Sequence, residues 1–385
     1  MYKNNFLLLK NNFQFFKINI SSFKFNELTV DKATKLKEKP LDCDKVGFGS
    51  VFSDHMLRID WNANSGWSKP IIKPLENFSL HPGCIVFHYA TEIFEGLKAF
   101  YGVDGIVRLF RADQNVDRFY KSAKRAMLPE FDKHELLHCI KELVRIEKCW
   151  VPKKRGHALY IRPTMIAVDP KLGVSKSNSA ILYVLLCPVG AYYPTGFKPV
   201  SLLADPKYVR AWPGGSGESK MGSNYAPTIY VQNEALKRGC QQVLWLFGKD
   251  HYLSEVGTMN IFVYWISKSG KREVVTPPLN GMILPGITRM SLLELLRKEE
   301  DIEVSEREIS MKELIESLKE GRLLEMYGSG TACVVSPVES IHYNGEIYKI
   351  PTMEKGAPLT MKLLKSLTDI QYGVTKQDHW ITEIF

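Results

Sequence analysis

One lysine of this sequence closes a glycine-rich run, Gly214-Gly215-Ser216-Gly217-Glu218-Ser219-Lys220. Such loops often cradle phosphate, but a Walker A loop needs Gly-Lys-Ser/Thr, and Lys220 lies between Ser219 and Met221. A serine-hydrolase elbow fails too, because Gly217-Glu218-Ser219 runs into Lys220-Met221 rather than x-Gly. What remains is a primary amine in a flexible turn, a description that also fits a surface lysine. Two other glycine turns offer places for an anion. Leu284-Pro285-Gly286-Ile287-Thr288 stands at the start of a helical pattern, where free N–H groups and the helix dipole favour negative charge. Gly328-Ser329-Gly330-Thr331 reads as a loop after a strand and adds a hydroxyl. Either is equally compatible with an ordinary turn. Glu255, in Glu255-Val256-Gly257-Thr258-Met259-Asn260, is a lone carboxylate at a strand entrance, and Tyr225 follows shortly after Lys220.

An amine, a carboxylate, a phosphate cup without a Walker lysine and a nearby phenol are what pyridoxal phosphate (PLP) requires. The amine forms the Schiff base. The carboxylate keeps the pyridine nitrogen protonated so that the ring accepts electrons. The phenol steadies the ring oxygen.

These residues must be positioned by two units of structure, since 385 residues exceed one ordinary core. In the first half, Asp113 is expected to cap a helix running to Met127 with Val116, Phe119, Ala123 and Met127 on one face, and Asp132 to start a second helix through Lys148. Ala158–Ala167 and Ala180–Cys187 read as strands. Residues 190–200, with Gly190, Pro194 and Gly196, form the expected linker between a small domain (27–189) and a larger one (201–385). The second half carries strand patterns at Val200–Ala204, Gln242–Phe247, Asn260–Trp265 and Leu323–Met326. Helix patterns lie at Pro227–Lys237, Ile287–Glu300 and Ser310–Lys319. The fold class is α/β (α+β) in two domains.

The net charge of +9 does not imply a nucleic-acid partner. Part of it comes from Lys3, Lys10, Lys17 and Lys24 in the acid-free residues 1–26, and the remainder is a mild excess without a basic block. No apolar run approaches the ~18 residues of a membrane span. The seven cysteines form no C-x-x-C pair, so neither a disulfide framework nor a metal site is expected, and a reducing compartment fits. Residues 1–26 place their lysines seven apart, on one face of a helix, with Phe6, Phe13, Phe16 and Phe23 elsewhere. That pattern predicts a mitochondrial transit peptide, with a cytosolic tail as the alternative.

Longer motifs then become distinctive. Asn224-Tyr225-Ala226-Pro227, Glu255 to Asn260, Leu284 to Arg289 and Gly328 to Cys333 occur in order. They are preceded by His88-Tyr89-Ala90, Phe94-Glu95-Gly96-Leu97-Lys98-Ala99-Phe100, Asp117-Arg118 and Leu159-Tyr160-Ile161-Arg162-Pro163. Over residues 27–385 the sequence resembles the eukaryotic branched-chain amino acid aminotransferases. The resemblance implies the type IV fold of PLP enzymes, with the cofactor between two domains, in a homodimer. It further implies small-molecule substrates: leucine, isoleucine and valine against 2-oxoglutarate and glutamate.

By the same resemblance Lys220 is the Schiff-base and proton-shuttling lysine, Glu255 the partner of the pyridine nitrogen and Tyr225 the partner of the ring oxygen. Arg118, the backbone N–H groups of Ile287 and Thr288, and the Thr331 hydroxyl bind the phosphate. Thr258 and Ala332 offer N–H groups to the substrate carboxylate. Phe94 and Tyr160, with Tyr89 and Val174 of the other subunit, wall the side-chain pocket, and Arg162 accepts the second carboxylate of glutamate. An apolar pocket favours branched aliphatic substrates because each buried methylene contributes ~0.8 kcal/mol. One departure concerns redox chemistry: the mammalian members carry C-x-x-C where this chain reads Cys333-Val334-Val335-Ser336. A local disulfide is excluded there, while Cys333 retains the possibility of oxidising alone. Alternatives are a D-amino acid aminotransferase or aminodeoxychorismate lyase of the same fold, or a catalytically inactive relative.

Overall fold

A computed structural model describes residues 22–190 and 198–385. The expected transit peptide lies outside the described residues except for its last five, and the expected linker lies outside them over 191–197. Residues 22–26 belong with the body of the protein. Phe23 is buried and packs edge-on against Trp67 at 5.2 Å, and the Phe25 N–H donates to Glu135 at 2.7 Å.

The first unit is a ten-stranded sheet whose central strands, His55–Asn62, Ser179–Val189, Ala158–Ala167, Leu97–Tyr101 and Val107–Phe110, pair antiparallel in that order. Two antiparallel-style strands, Ala158–Ala167 and Ser179–Val189, are apolar through most of their length because one face meets helices and the other meets the second unit. Helices Ala112–Arg125 and Lys133–Ile146 cover the outer face with Val116, Phe119, Ala123, Leu136, Ile140 and Leu143. Burying each large apolar side chain contributes about 1.5–3 kcal/mol. Asp132 caps the second helix as expected, accepting from the N–H groups of His134 at 2.9 Å and Glu135 at 3.2 Å.

The first helix corrects its expected start. Arg111, in left-handed conformation at φ 46°, occupies the cap, and Asp113 sits inside the first turn accepting from Gln114. Arg111 takes that backbone because it joins three elements: its N–H donates to the Trp380 carbonyl at 2.7 Å, its guanidinium meets Glu294 at 2.5 Å, and it stacks on Trp380 at 3.9 Å. The helix also stops at Arg125, leaving Met127 exposed.

The second unit is a nine-stranded mixed sheet. Six of its strands form a closed path: Tyr252–Val256, Gln242–Phe247, Val200–Ala204, Val334–Tyr343, Leu323–Gly330 and Met259–Ile266, which returns to pair with Tyr252–Val256. Leu202, Leu244, Val256, Ile261, Val263, Met326 and Val338 form part of its core. The closing hairpin turns through Gly257-Thr258, with Gly257 at φ 55° as a primed two-residue turn requires. The segment expected as a loop at 328–330 is instead the end of strand Leu323–Gly330. Glycine stands there because the Met259 side chain lies where a β-carbon would be, 3.0 Å away at Gly328 and 3.3 Å at Gly330. A third core joins the units through Phe100, Phe110, Tyr160, Phe262, Tyr327 and Leu363. The last strand, Ile381–Glu383, leaves the expected second domain and pairs antiparallel with Val107–Phe110 of the first sheet. No helix among the described residues is long and apolar enough to cross a membrane.

Removing the Asp132 cap is a direct test of this packing. Asp132→Ala should lower unfolding free energy by about 1 kcal/mol in urea titrations. It should leave any cofactor-dependent absorbance intact, because the cap lies on the outer layer.

Candidate active site

A cavity of about 310 Å³ opens between the two units. Lys220 reaches it from the glycine-rich loop, which is braced rather than loose. Asn224 Nδ2 donates to the carbonyls of Ser216 and Ser219, each at 2.7 Å. The Lys220 N–H donates to Ser122 Oγ at 2.9 Å, and its carbonyl accepts from Phe94 N–H at 3.1 Å. The amine therefore hangs from a backbone fixed to both a helix and a strand of the first unit. Its Nζ donates to the Tyr225 hydroxyl at 3.2 Å and lies 4.6 Å from the centre of the Phe94 ring.

Glu255 is buried at the closing hairpin. Its Oε1 accepts from Leu284 N–H at 3.2 Å and Asn260 Nδ2 at 3.4 Å. Its Oε2 faces Arg210 Nη1 at 2.5 Å, an ion pair without hydrogen-bond alignment. Burial pushes the Glu255 carboxyl above its ordinary value, against the pull of Arg210. At the opposite end Arg118 is clamped by a carboxylate in fork geometry: Nε to Glu95 Oε1 at 2.6 Å and Nη2 to Glu95 Oε2 at 3.0 Å. Asn115 supports the same carboxylate at 2.9 Å. Burial would raise the Glu95 carboxyl, but Arg118 holds it below the ordinary range.

Between these anchors the segment Leu284-Pro285-Gly286 is tied on three sides. Glu255 takes the Leu284 N–H, Asn260 Nδ2 donates to the Leu284 carbonyl at 2.9 Å, and Arg118 Nη1 donates to the Pro285 carbonyl at 3.0 Å. Gly286 allows this closeness, because a β-carbon there would meet Asn260 Oδ1 at 2.0 Å. Helix Ile287–Leu296 begins at once with no side-chain cap, so its first N–H groups stay available to a ligand beside Thr288 and Thr331.

The cavity thus brings together Arg118, Lys220, Tyr225, Glu255, Ile287, Thr288 and Thr331, and on its other wall Phe94, Tyr160, Arg162, Thr258 and Ala332. Arg162 Nη2 donates to the Tyr160 hydroxyl at 3.0 Å and its guanidinium lies 4.8 Å from the Phe94 ring. Gly96 gives Tyr160 its room, since a β-carbon would lie 1.9 Å from the hydroxyl. Tyr89 and Val174 do not line the cavity of their own chain. They are 40% and 82% exposed, with the Tyr89 hydroxyl bonded to the Leu172 carbonyl. Sequence reasoning missed Phe48, which lines the cavity edge-on to Tyr160 at 4.9 Å, and the buried supports Glu95, Asn115, Ser122 and Arg210. Glu95 stood within a quoted motif, but only folding reveals its pairing with Arg118. Cys333 is buried beside Met259, and burial pushes its thiol up to about 12. Burial thus disfavours the thiolate form.

Residues 92–341 match the model of the class IV amino-transferases. The chain is 54% identical over 357 residues to the cytosolic branched-chain-amino-acid aminotransferase of Ovis aries, covering 92% of both proteins. It is 52% identical over 359 residues to the mitochondrial enzyme of Mus musculus, covering 93% of this chain and 91% of that one. The chain belongs to the branched-chain amino acid aminotransferase family. Among solved structures, the PLP form of the Thermobaculum terrenum enzyme superposes with a TM-score of 0.70 at 21% identity, covering 87% of this chain and 99% of that one. The Escherichia coli enzyme gives 0.64 at 25% identity, covering 85% and 98%. The class IV fold is therefore that of the family, and relatives of both cytosolic and mitochondrial location are represented.

The family's cofactor is pyridoxal phosphate, and the donor set fits it. An amine, a carboxylate and a phenol surround one end of the cavity, and an uncapped helix start with a guanidinium marks the other. The Ser329 hydroxyl on the cavity wall is buried with no hydrogen-bond partner among the described residues. Glu95→Ala should strand the Arg118 charge, a change costing about 3–5 kcal/mol for a buried pair. Melting temperature and cofactor retained through dialysis should fall together, whereas Glu95→Asp should recover part of both.

Proposed function

We propose that the chain catalyses reversible transfer of the amino group between L-leucine, L-isoleucine or L-valine and 2-oxoglutarate, giving branched-chain 2-oxo acids and L-glutamate. The observation that carries this reading is Lys220 between Tyr225 and Glu255 in a cavity walled by Phe94 and Tyr160. When bound, pyridoxal phosphate supplies an electron sink that acidifies the substrate α-proton.

The residues divide that task. Lys220 would hold the cofactor covalently at rest and, once released, its Nζ would take the proton from the substrate α-carbon. Glu255 holds the proton on the ring nitrogen, with Arg210 favouring its charged form. Tyr225 orients the ring oxygen. Arg118, the Ile287 and Thr288 N–H groups and the Thr331 hydroxyl bind the phosphate. Thr258 and Ala332 present N–H groups to the substrate carboxylate. Phe94, Tyr160 and Phe48 exclude water from the aliphatic side chain, and Arg162 receives the second carboxylate of glutamate. The relatives described above are all branched-chain aminotransferases, which gives no support to the D-amino acid or lyase alternatives. The intact Lys220, Glu255, Tyr225 and Arg118 speak against an inactive relative.

A homodimer completes the pocket in this reading. Tyr89, Val174 and their exposed neighbours Phe87 and Leu172 form an apolar edge suited to a second copy, which would add Tyr89 and Val174 to the partner's pocket. Val174→Asp should therefore raise the KM for leucine several-fold with the melting temperature preserved, a pattern absent from a self-contained monomer. The basic, acid-free residues 1–26 support import into mitochondria; fused to a fluorescent protein, they should direct it there.

The central test is spectroscopic. Purified protein should show the absorbance of lysine-bound cofactor, lose it on addition of L-leucine and regain it with 2-oxoglutarate. Lys220→Ala should abolish turnover while the fold survives, and a variant keeping most of its rate would overturn the assignment.

A further inference from the structure

A second cluster of donor atoms lies away from the cavity, where residues 42–44 meet the start of strand Ala158–Ala167. Asp42, Asp44 and His157 bring one ligand atom each to within 4.8 Å of one another. His157 is 3% exposed and lines a cleft of about 260 Å³ together with Asp42. Its Nε2 lies 3.0 Å from Asp44 Oδ1 without the alignment of a hydrogen bond, so this buried nitrogen has no hydrogen-bond partner among the described residues. Its Nδ1 faces the Arg155 carbonyl at 3.4 Å. A proton on Nδ1 satisfies that carbonyl and leaves Nε2 as a bare lone pair beside a carboxylate oxygen, two acceptors in contact. Gly190 allows the carboxylate this position, because a β-carbon there would meet Asp44 Oδ1 at 2.5 Å.

The charges around the cluster favour a cation. Asp42 has no ion-pair partner among the described residues. Lys154 Nζ donates to Asp44 Oδ2 at 2.6 Å, but the lysine side chain is 67% exposed. An exposed ion pair contributes little and yields to a divalent ion. Such an ion, placed among the three groups, would replace the contact between acceptors by two bonds and bring positive charge to Asp42 as well. An imidazole whose other N–H is turned to a backbone carbonyl is the usual arrangement of a metal-binding histidine. One nitrogen and two carboxylates suit zinc or a similar first-row divalent ion, with water in the remaining position. Ligands about 2.1 Å from the ion can stand up to about 4.2 Å apart, so small rotations of the half-buried aspartates bring all three into range.

We propose that Asp42, Asp44 and His157 form a binding site for a divalent transition-metal ion of the zinc type. The ion would pin the short helix Cys43–Lys45 to the residue that precedes strand Ala158–Ala167. Phe48 lies shortly after that helix and Tyr160 shortly after His157, and their rings meet edge-on at 4.9 Å on the wall of the active cavity. The ion is a staple beneath this aromatic pair and takes no part in amino transfer, so the inference does not rest on the assignment of the reaction.

The test titrates zinc chloride by calorimetry into PLP-loaded enzyme that has been stripped of metal with EDTA. The parent should bind one equivalent per chain with micromolar affinity or tighter, and its melting temperature should rise. His157→Gln and Asp42→Asn should each weaken binding by about tenfold or more, the scale of losing a residue that merely orients a metal ligand. The absorbance of bound PLP should stay as in the parent. Cys43 and Cys149 line the same cleft, so the variant with both changed to serine is measured beside them and should keep its zinc. Loss of binding there, with His157→Gln unaffected, assigns the ion to the thiols and overturns the proposal. Failure of the parent to bind at millimolar zinc overturns it too, and leaves Asp44 to Lys154. If His157→Gln fails to fold, Asp42→Asn, a change on the half-buried loop, decides the matter alone.

Discussion

The site depends on keeping several charges dry in one cavity without cancelling the one that reacts. Arg118 is matched by Glu95 and Glu255 by Arg210, each as a buried ion pair with its partner. These two pairs neutralise the ends of the cavity and leave the Lys220 Nζ with the Tyr225 hydroxyl as its one hydrogen-bond partner among the described residues. A lysine paired tightly to a carboxylate would be held as an ammonium and would not serve as nucleophile or base. Buried ion pairs contribute little net stability, so their worth here lies in fixing where charge stands before a ligand enters.

The same economy appears in the backbone. Three groups that face different parts of a ligand, Glu255, Asn260 and Arg118, all bind the short segment 284–286. A shift at the Glu255 end is therefore transmitted to the start of helix Ile287–Leu296. The first unit supplies the Arg118 end and the aromatic wall, the second the closing hairpin and the helix. Lys220 spans the seam because its N–H and carbonyl are both held by the first unit. Precision comes from this cross-bracing rather than from the glycine-rich loop, whose composition alone suggests looseness.

What the sequence made legible follows from how local the determining interaction is. Ala158–Ala167, Gln242–Phe247 and the helix that Asp132 starts depend on neighbours a few residues away, and their patterns read correctly. Arg111 as a helix start was hidden because its backbone is set by Trp380 and Glu294, far along the chain. Gly328 and Gly330 suggested a loop, but their smallness serves the Met259 side chain within a strand. The cavity-lining residues lay in motifs long enough to resemble a family. Of their supports, Glu95 lay inside one such motif without a partner to give it a role, and Ser122 and Arg210 have unremarkable surroundings in sequence; all three acquire meaning only from partners brought close by the fold.

The strand Ile381–Glu383 also bears on how the molecule comes into being. It completes the edge of the first sheet, and the Trp380 carbonyl closes on Arg111 at the start of the helix that carries Arg118. During synthesis the first sheet's other strands emerge long before this one exists, so its edge stays unpaired until residues 381–383 have been made. The strand acts as a latch. Maturation of the two halves is thereby made a single event, and a chain that lacks this strand loses its hold on the half that was made first.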